Sequence, residues 1–204
     1  MTARPLLTAG VDEAGRGCLA GPVAVSAVIL DPAHDWEAVD DSKQLSRERR
    51  EELADMVRNH CLAWRVVLID RATIDQINIL QATLLGMRRA VKGLDLAPEL
   101  VLIDGNRAPE LDIETRTLVD GDALEKCIGA ASILAKTHRD AYMTRLDSRF
   151  PEYGFGRHKG YGTPEHLQAL QRHGPTPEHR RSFAPVRDTL QDDLFGPANP
   201  PAAP

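Results

Sequence analysis

The order of apolar runs and helical patterns predicts a single α/β domain built on a mixed sheet. Three observations carry that expectation. Strand-like runs come first and then alternate with helical periods, the length of 204 residues suits one domain, and no internal repeat is visible. The first run, Leu6 to Val11, is short and apolar and ends in Asp12-Glu13. Gly15, Gly17 and Gly21-Pro22 mark a turn, and Val23 to Leu30 reads as a second, buried strand. A loop of that length predicts an antiparallel hairpin. Ser46 is placed to N-cap a helix whose apolar stripe is Leu53, Met56, Val57 and Cys61. Trp64 to Ile69 reads as a third strand.

Thr73 and Gln76 fit a capping box opening a helical region with Ile77, Leu80, Leu84, Met87 and Val91, and Gly93 is placed to end it. Leu100 to Ile103 is an apolar strand terminating in Asp104-Gly105, and Leu118-Val119 is another ending near Asp122. Ile128 to about Phe150 is the longest helical pattern, carrying Ala131, Ala135, Tyr142 and Leu146. Thr163-Pro164 and Thr176-Pro177 each pair an N-cap candidate with proline at the first helical position, and Gly174 separates those two expected helices. From Gln191 the chain turns acidic and then rich in proline and alanine, so residues 191–204 are expected to form a disordered tail beyond a domain of residues 1–190.

Composition narrows the class. The chain is 42% hydrophobic and 27% charged, within the ordinary globular range. Cys18, Cys61 and Cys127 are an odd count without C-x-x-C spacing, which argues against a disulfide framework or a structural zinc site. The N-terminal stretch has no signal-peptide apolar region, and no run elsewhere would span a membrane, so a cytoplasmic location is expected. Net charge is -5, yet bases cluster at Lys43 with Arg47, Arg49 and Arg50, at His158-Lys159, and at His179 with Arg180 and Arg181. Where charges lie matters more than their sum for a nucleic-acid partner. A solvated helix face is the competing account of Arg47 to Arg50.

Acids at strand ends are the informative feature. Asp12, Glu13, Asp104 and Asp122 follow three separate strands, and sites in α/β sheets gather beyond strand ends. Four carboxylates brought together repel one another unless cations lie between them, and hard oxygen ligands select Mg2+ or Mn2+ over zinc. Such a cluster suits phosphoryl transfer with two ions about 3.5–4 Å apart. Each acid taken singly is equally well a turn or helix cap.

The blocks VDEAGRGCLAGPV (Val11 to Val23), DSKQLS (Asp41 to Ser46), VLIDGN (Val101 to Asn106), GAASILAK (Gly129 to Lys136) with Arg139-Asp140, HKGYGT (His158 to Thr163) and HRRSFAPV (His179 to Val186) occur in that order. Together they resemble the bacterial ribonuclease HII (type 2 ribonuclease H) family from about residue 7 to 187. The resemblance implies a ribonuclease H-like fold: a mixed five-stranded sheet with flanking helices and a helical C-terminal extension over about residues 151–190. It implies that Asp12, Glu13, Asp104 and Asp122 are the catalytic carboxylates holding two divalent ions, Mg2+ or Mn2+. It also implies hydrolysis of RNA in RNA/DNA hybrids and a cut 5′ of ribonucleotides embedded in duplex DNA, leaving a 3′-hydroxyl and a 5′-phosphate, in RNA primer and ribonucleotide removal.

Within that resemblance Gly15, Arg16 and Gly17 lie against the ribose 2′-hydroxyl, the group that distinguishes RNA from DNA. Tyr161 stacks on the following sugar, and Lys43, Lys159, Arg180 and Arg181 contact phosphates. Asp140 rivals Asp122 for the fourth carboxylate, but an i,i+4 pair with Lys136 accounts for it. Asp120 departs from the family, where Lys is common, and Gly129 departs from its usual Ser or Ala. A monomer without membrane association is expected. The competing readings are a DNA-directed metal nuclease of the same fold and a non-catalytic hybrid-binding module. Finally, Gln191, Leu194 and Phe195 resemble the short peptide by which bacterial proteins dock on the sliding clamp; the end of a helix packing back on the domain is the alternative.

Overall fold

In the computed structural model, residues 6–39 and 46–195 are described, the last five as backbone only. Five strands form one mixed sheet: β1 (Thr8–Ala14), β2 (Val23–Ile29), β3 (Ala63–Ile69), β4 (Leu100–Asp104) and β5 (Glu114–Leu118), in the order β3-β2-β1-β4-β5. The hairpin expected from the glycine turn is present, with β1 and β2 antiparallel. β3 pairs antiparallel with β2, whereas β4 lies parallel to β1 and β5 parallel to β4. Between β1 and its parallel neighbour β4 the chain passes through two helices, whereas β4 reaches β5 by the loop of residues 105–113, which contains no helix.

Helices α1 (Arg47–His60), α2 (Arg71–Lys92), α3 (Gly121–Leu124) and α4 (Lys126–Arg149) flank the sheet. Pleating sorts the strands into two cores. Val28 packs with Leu53, Ala54 and Val57 of α1 and with Ala130, Ala131, Ile133 and Leu134 of α4, while Val11, Val25, Ala27, Val101 and Ile103 pack with Met87, Ala90 and Val91 of α2. β2 is buried along its whole length, as its unbroken run of Val, Ala, Ser and Ile requires. Gly10 brings β1 hard against α4: a β-carbon there would lie 2.1 Å from the carbonyl carbon of Cys127. Beyond α4 come a short 3-10 turn (Pro151–Tyr153), α5 (Phe155–His158), α6 (Pro164–His173) and α7 (Ala184–Phe195).

Local signals place most of these elements. The Ser46 side chain caps α1 and the Thr163 side chain caps α6, and Gly93 closes α2. Six features differ from expectation. β1 runs on through Asp12 and Glu13 to Ala14, because β2 pairs with it that far. α2 starts earlier: Asp70, not Thr73, is its cap, and Thr73 N–H donates to Asp70 Oδ1 at 2.7 Å. The same helix is interrupted at Asn78 (φ 64°), whose side chain caps the second segment through Gln81 N–H at 3.0 Å. β5 precedes Val119 and carries the polar run ETRTL, the pattern of an edge strand, so its apolar end was the only visible part.

The fifth difference is at Thr176-Pro177, which opens a turn and not a helix. Thr176 directs its N–H to His179 Nδ1 and its hydroxyl accepts from Glu178 N–H, while His179 bridges to Ala20. The last helix continues through Phe195, so residues 191–195 extend α7 where a tail was expected to begin.

Candidate active site

The sheet itself brings the acids together. In the parallel β1-β4 register Val11 lies beside Ile103, so Asp12 and Asp104 come next on neighbouring strands. Both fall on the sheet face covered by α4, alongside Gly10 and Leu102, which pack on Cys127 and Ile128. Asp12 is buried and accepts from Glu13 N–H at 2.7 Å and from the Ser132 hydroxyl of α4. Asp104 Oδ1 accepts from Gly121 N–H at 2.8 Å, which ties β4 to the start of α3. Glu13 pairs with Arg16 at 3.2 Å.

Asp12, Glu13 and Asp104 line one open cavity of about 440 Å³, together with Gly15, Tyr161 and Lys136. Burial, and then the charge of Glu13, pushes the Asp12 carboxyl well above the usual carboxylate range, with Asp104 adding to the rise. Glu13 is raised too, mainly by burial and partly offset by Arg16. Carboxylates packed closely enough to raise one another form a site short of positive charge. Their oxygen donors suit a hard divalent cation. Among the described residues no three acidic, histidine or cysteine side chains enclose a ready-made cage.

The remaining expected residues divide. Gly15 adopts φ +92° and a β-carbon there would collide with the Arg139 side chain, whereas a β-carbon at Gly17 would meet open space. Tyr161 lines the cavity with 43% of its surface exposed, and the Lys136 ammonium lies 5.9 Å from its ring centre. Arg181 is exposed, its N–H held by Asp75 at 3.0 Å. Lys159 directs its ammonium to Thr144 Oγ1 at 3.0 Å. Asp122 does not line the cavity; it is buried in the first turn of α3, beside Gly121. Asp140 forms the i,i+4 pair with Lys136 at 2.9 Å, and Asp120 is exposed. Lys43 lies outside the described residues, as do the side chains of Gln191, Leu194 and Phe195.

Arg180 is a correction. Expected on phosphates, it is fully buried, and its guanidinium donates to the carbonyls of Gly15, Arg16 and Gly21. Its sequence context gave no warning, because an adjacent exposed arginine, Arg181, carries the same chemistry. Two lining residues were missed as site residues, Ser132 and Lys136. Their signal was available: Ser132, Lys136 and Asp140 recur every four residues along α4 and therefore share one face. Of the three arginines in Arg47 to Arg50 only Arg50 lines the cavity, while Arg47 and Arg49 pair with Glu51 and Glu52 on an exposed helix face.

The Tyr161 loop is held by neutral histidines. Thr176 N–H donates to His179 Nδ1 at 2.9 Å, which leaves the proton on His179 Nε2; that nitrogen lies 3.0 Å from His166 Nε2. His166 Nδ1 then donates to the Tyr161 carbonyl at 2.8 Å. Burial lowers His179 to about 3 and His166 to about 4, so both are neutral across the physiological range.

Comparison with known proteins finds relatives over most of the chain. The profile of the family described as Ribonuclease HII matches residues 9–186. A ribonuclease HII of Bordetella pertussis is 56% identical over 183 residues, covering 90% of this chain and 91% of that protein. One from Xanthomonas campestris pv. campestris is 59% identical over 186 residues, covering 90% and 78%. The crystal structure of the ribonuclease H2 from Pyrococcus horikoshii OT3 superposes with a TM-score of 0.78 over 93% of this chain and 99% of that one. At 24% identity that last likeness concerns the fold.

Proposed function

The chain belongs to the ribonuclease HII family, and from that premise we propose that it hydrolyses the RNA strand of RNA/DNA hybrids and cuts 5′ of single ribonucleotides in duplex DNA. The observation that carries this reading is the convergence of Asp12, Glu13 and Asp104 on one cavity that also holds Gly15 and Tyr161. Acids for a phosphodiester reaction and groups for a sugar thus share one wall.

In this reading Asp12, Glu13 and Asp104, with Asp122 as the fourth carboxylate, hold two Mg2+ or Mn2+ ions. When bound, such ions polarise the scissile phosphate and lower the pKa of water enough to make it a nucleophile at neutral pH. The protein's own groups do the positioning. Asp12 is fixed by Glu13 N–H and Ser132, and Asp104 by Gly121 N–H, so neither carboxylate has to reorganise when substrate arrives. Lys136 places a positive charge at the cavity beside Tyr161, where a substrate phosphate brings negative charge. The Gly15 to Gly17 turn meets the 2′-hydroxyl, and Tyr161 stacks on the next sugar. Lys159 and Arg181 hold backbone phosphates, which orient the duplex without reading sequence.

The test is a panel of three labelled duplexes, RNA/DNA hybrid, DNA with one ribonucleotide, and DNA alone, each with Mg2+ or with EDTA. Cleavage of the first two, dependent on metal and leaving 3′-hydroxyl and 5′-phosphate ends, is expected. Equal cutting of plain DNA marks a DNA-directed nuclease. Tight binding without cleavage marks a hybrid-binding module. A cut on the 3′ side of the ribose also sinks the reading.

A further inference from the structure

Two arginines, Arg139 of α4 and Arg180 of the segment before α7, are fully buried. Neither forms an ion pair among the described residues; each spends its guanidinium on backbone carbonyls. Arg139 donates from Nε to Pro22, from Nη1 to Lys159 and from Nη2 to Ala20, at 3.0, 2.8 and 3.1 Å. Arg180 donates from Nε to Gly21, from Nη1 to Arg16 and from Nη2 to Gly15, at 3.0, 2.8 and 2.8 Å. The two forks therefore grip the β1-β2 loop at five carbonyls and join it to the Tyr161 loop at a sixth. Burial, and then the nearby Arg139 charge, brings Arg180 down to about 10, which still leaves it protonated at neutral pH.

Burying two like charges against partial charges is a poor way to make a fold stable. The geometry suggests what it achieves. In a trans peptide the carbonyl and the following N–H point in opposite directions. Drawing the Gly15 and Arg16 carbonyls inward onto Arg180 therefore turns the N–H groups of Arg16 and Gly17 outward. Neither N–H donates to an acceptor among the described residues. Gly17 has open space where a β-carbon would stand, so the outward face is accessible.

We propose that Arg180 is a positioning residue for sugar discrimination: its fork aims the Arg16 and Gly17 amides at the ribose 2′-hydroxyl, and Arg139 keeps that turn in register with Tyr161. This rests on the function proposed above and deepens it by assigning what orients the sugar-reading turn. Arginine is required because its rigid planar fork reaches three carbonyls at once, which a lysine ammonium on its flexible stem cannot.

The experiment compares affinities, without divalent ions, for a duplex containing one ribonucleotide and for the same duplex in DNA. Four proteins are used: wild type, Arg180→Lys, Phe183→Leu and Gly17→Ala. Phe183 lies under the Arg180 guanidinium, 5.2 Å from its ring centre, so its replacement loosens the fork mildly in a chain expected to fold. Arg180→Lys should lose about ten-fold in preference for the ribonucleotide duplex while DNA binding stays unchanged, and Phe183→Leu should lose part of that. Equal weakening on both duplexes, with the salt slope reduced by about 0.9, would make Arg180 a phosphate ligand and overturn the proposal. So would a lower Tm with an unchanged preference, in Arg180→Lys or, if that variant does not fold, in Phe183→Leu. If Gly17→Ala loses the preference and the other two keep it, the proposed function stands and only this inference fails. If wild type shows no preference, both fail.

Discussion

Asp12 shows how a single side chain sets activity against stability. Burial and the neighbouring acids raise its folded-state pKa above the unfolded value. A carboxyl of this kind adds stability below the unfolded pKa and loses it as pH rises through the folded one. At neutral pH without metal, Asp12 is therefore a liability. Asp12→Asn keeps an oxygen for Glu13 N–H and should raise stability by about 1 kcal/mol in EDTA, read as Tm, while abolishing turnover. Adding Mg2+ should raise Tm in wild type and much less in the variant. Asp104→Asn should lower turnover on the order of 100-fold or more with the fold intact by circular dichroism. Near wild-type cleavage by Asp104→Asn would remove it from the site.

At the level of elements, the β1-α4 contact decides whether the acids meet. Asp12 reaches Ser132 only because Gly10, one turn of the pleat away, lets the strand lie on the helix start at Cys127. Gly10→Ala should therefore push β1 from α4, costing about 2–3 kcal/mol in urea unfolding and weakening metal binding as well. A stable Gly10→Ala protein with normal metal affinity would show that the contact is not needed. The kink in α2 is a smaller device. Asn78 takes positive φ and caps the following segment, so Asn78→Ala should cost about 1 kcal/mol through the lost cap, with more from the backbone. A variant as stable as wild type would argue that α2 can straighten.

The whole molecule should respond to acid through its histidines. His166 and His179 titrate at about 6.5 when unfolded and at about 4 and 3 when folded. The unfolded chain binds more protons in that window, so their contribution is complete above about pH 6.5 and is lost as pH falls towards 4 and 3. Chemical denaturation between pH 7.5 and 4.5 should show a loss of a few kcal/mol, and His179→Gln should flatten the curve. Asp12 and Glu13, being raised, act with the opposite sign; a flat wild-type profile would mean that they cancel the histidines. At the C-terminus, the helical backbone of α7 through Phe195 bears on the clamp-like peptide of Gln191, Leu194 and Phe195. Extended docking would first have to unwind that turn, so a peptide spanning residues 188–200 should bind a bacterial clamp more tightly than the intact protein does. No saturable peptide binding, or equal binding after Leu194 and Phe195 both become Ala, ends that idea.

Much of this was legible in local pattern. Strand runs, the Ser46 and Thr163 caps and the glycine turn are all short-range signals, because periodicity and capping involve residues a few positions apart. The polar edge strand β5 escaped, since a strand with little buried surface carries no apolar signature. The Thr176-Pro177 turn imitated a helix start until His179 competed for the Thr176 N–H. What only the tertiary structure decided is partnership across the chain. Parallel pairing of β1 with β4 sets Asp12 beside Asp104, and the loop carbonyls left without strand partners draw Arg180 inside while its neighbour Arg181 stays in solvent. Sequence specifies which groups must be satisfied; which distant group satisfies them is settled by the packing of the sheet and its loops, where burial makes an unmet hydrogen bond costly.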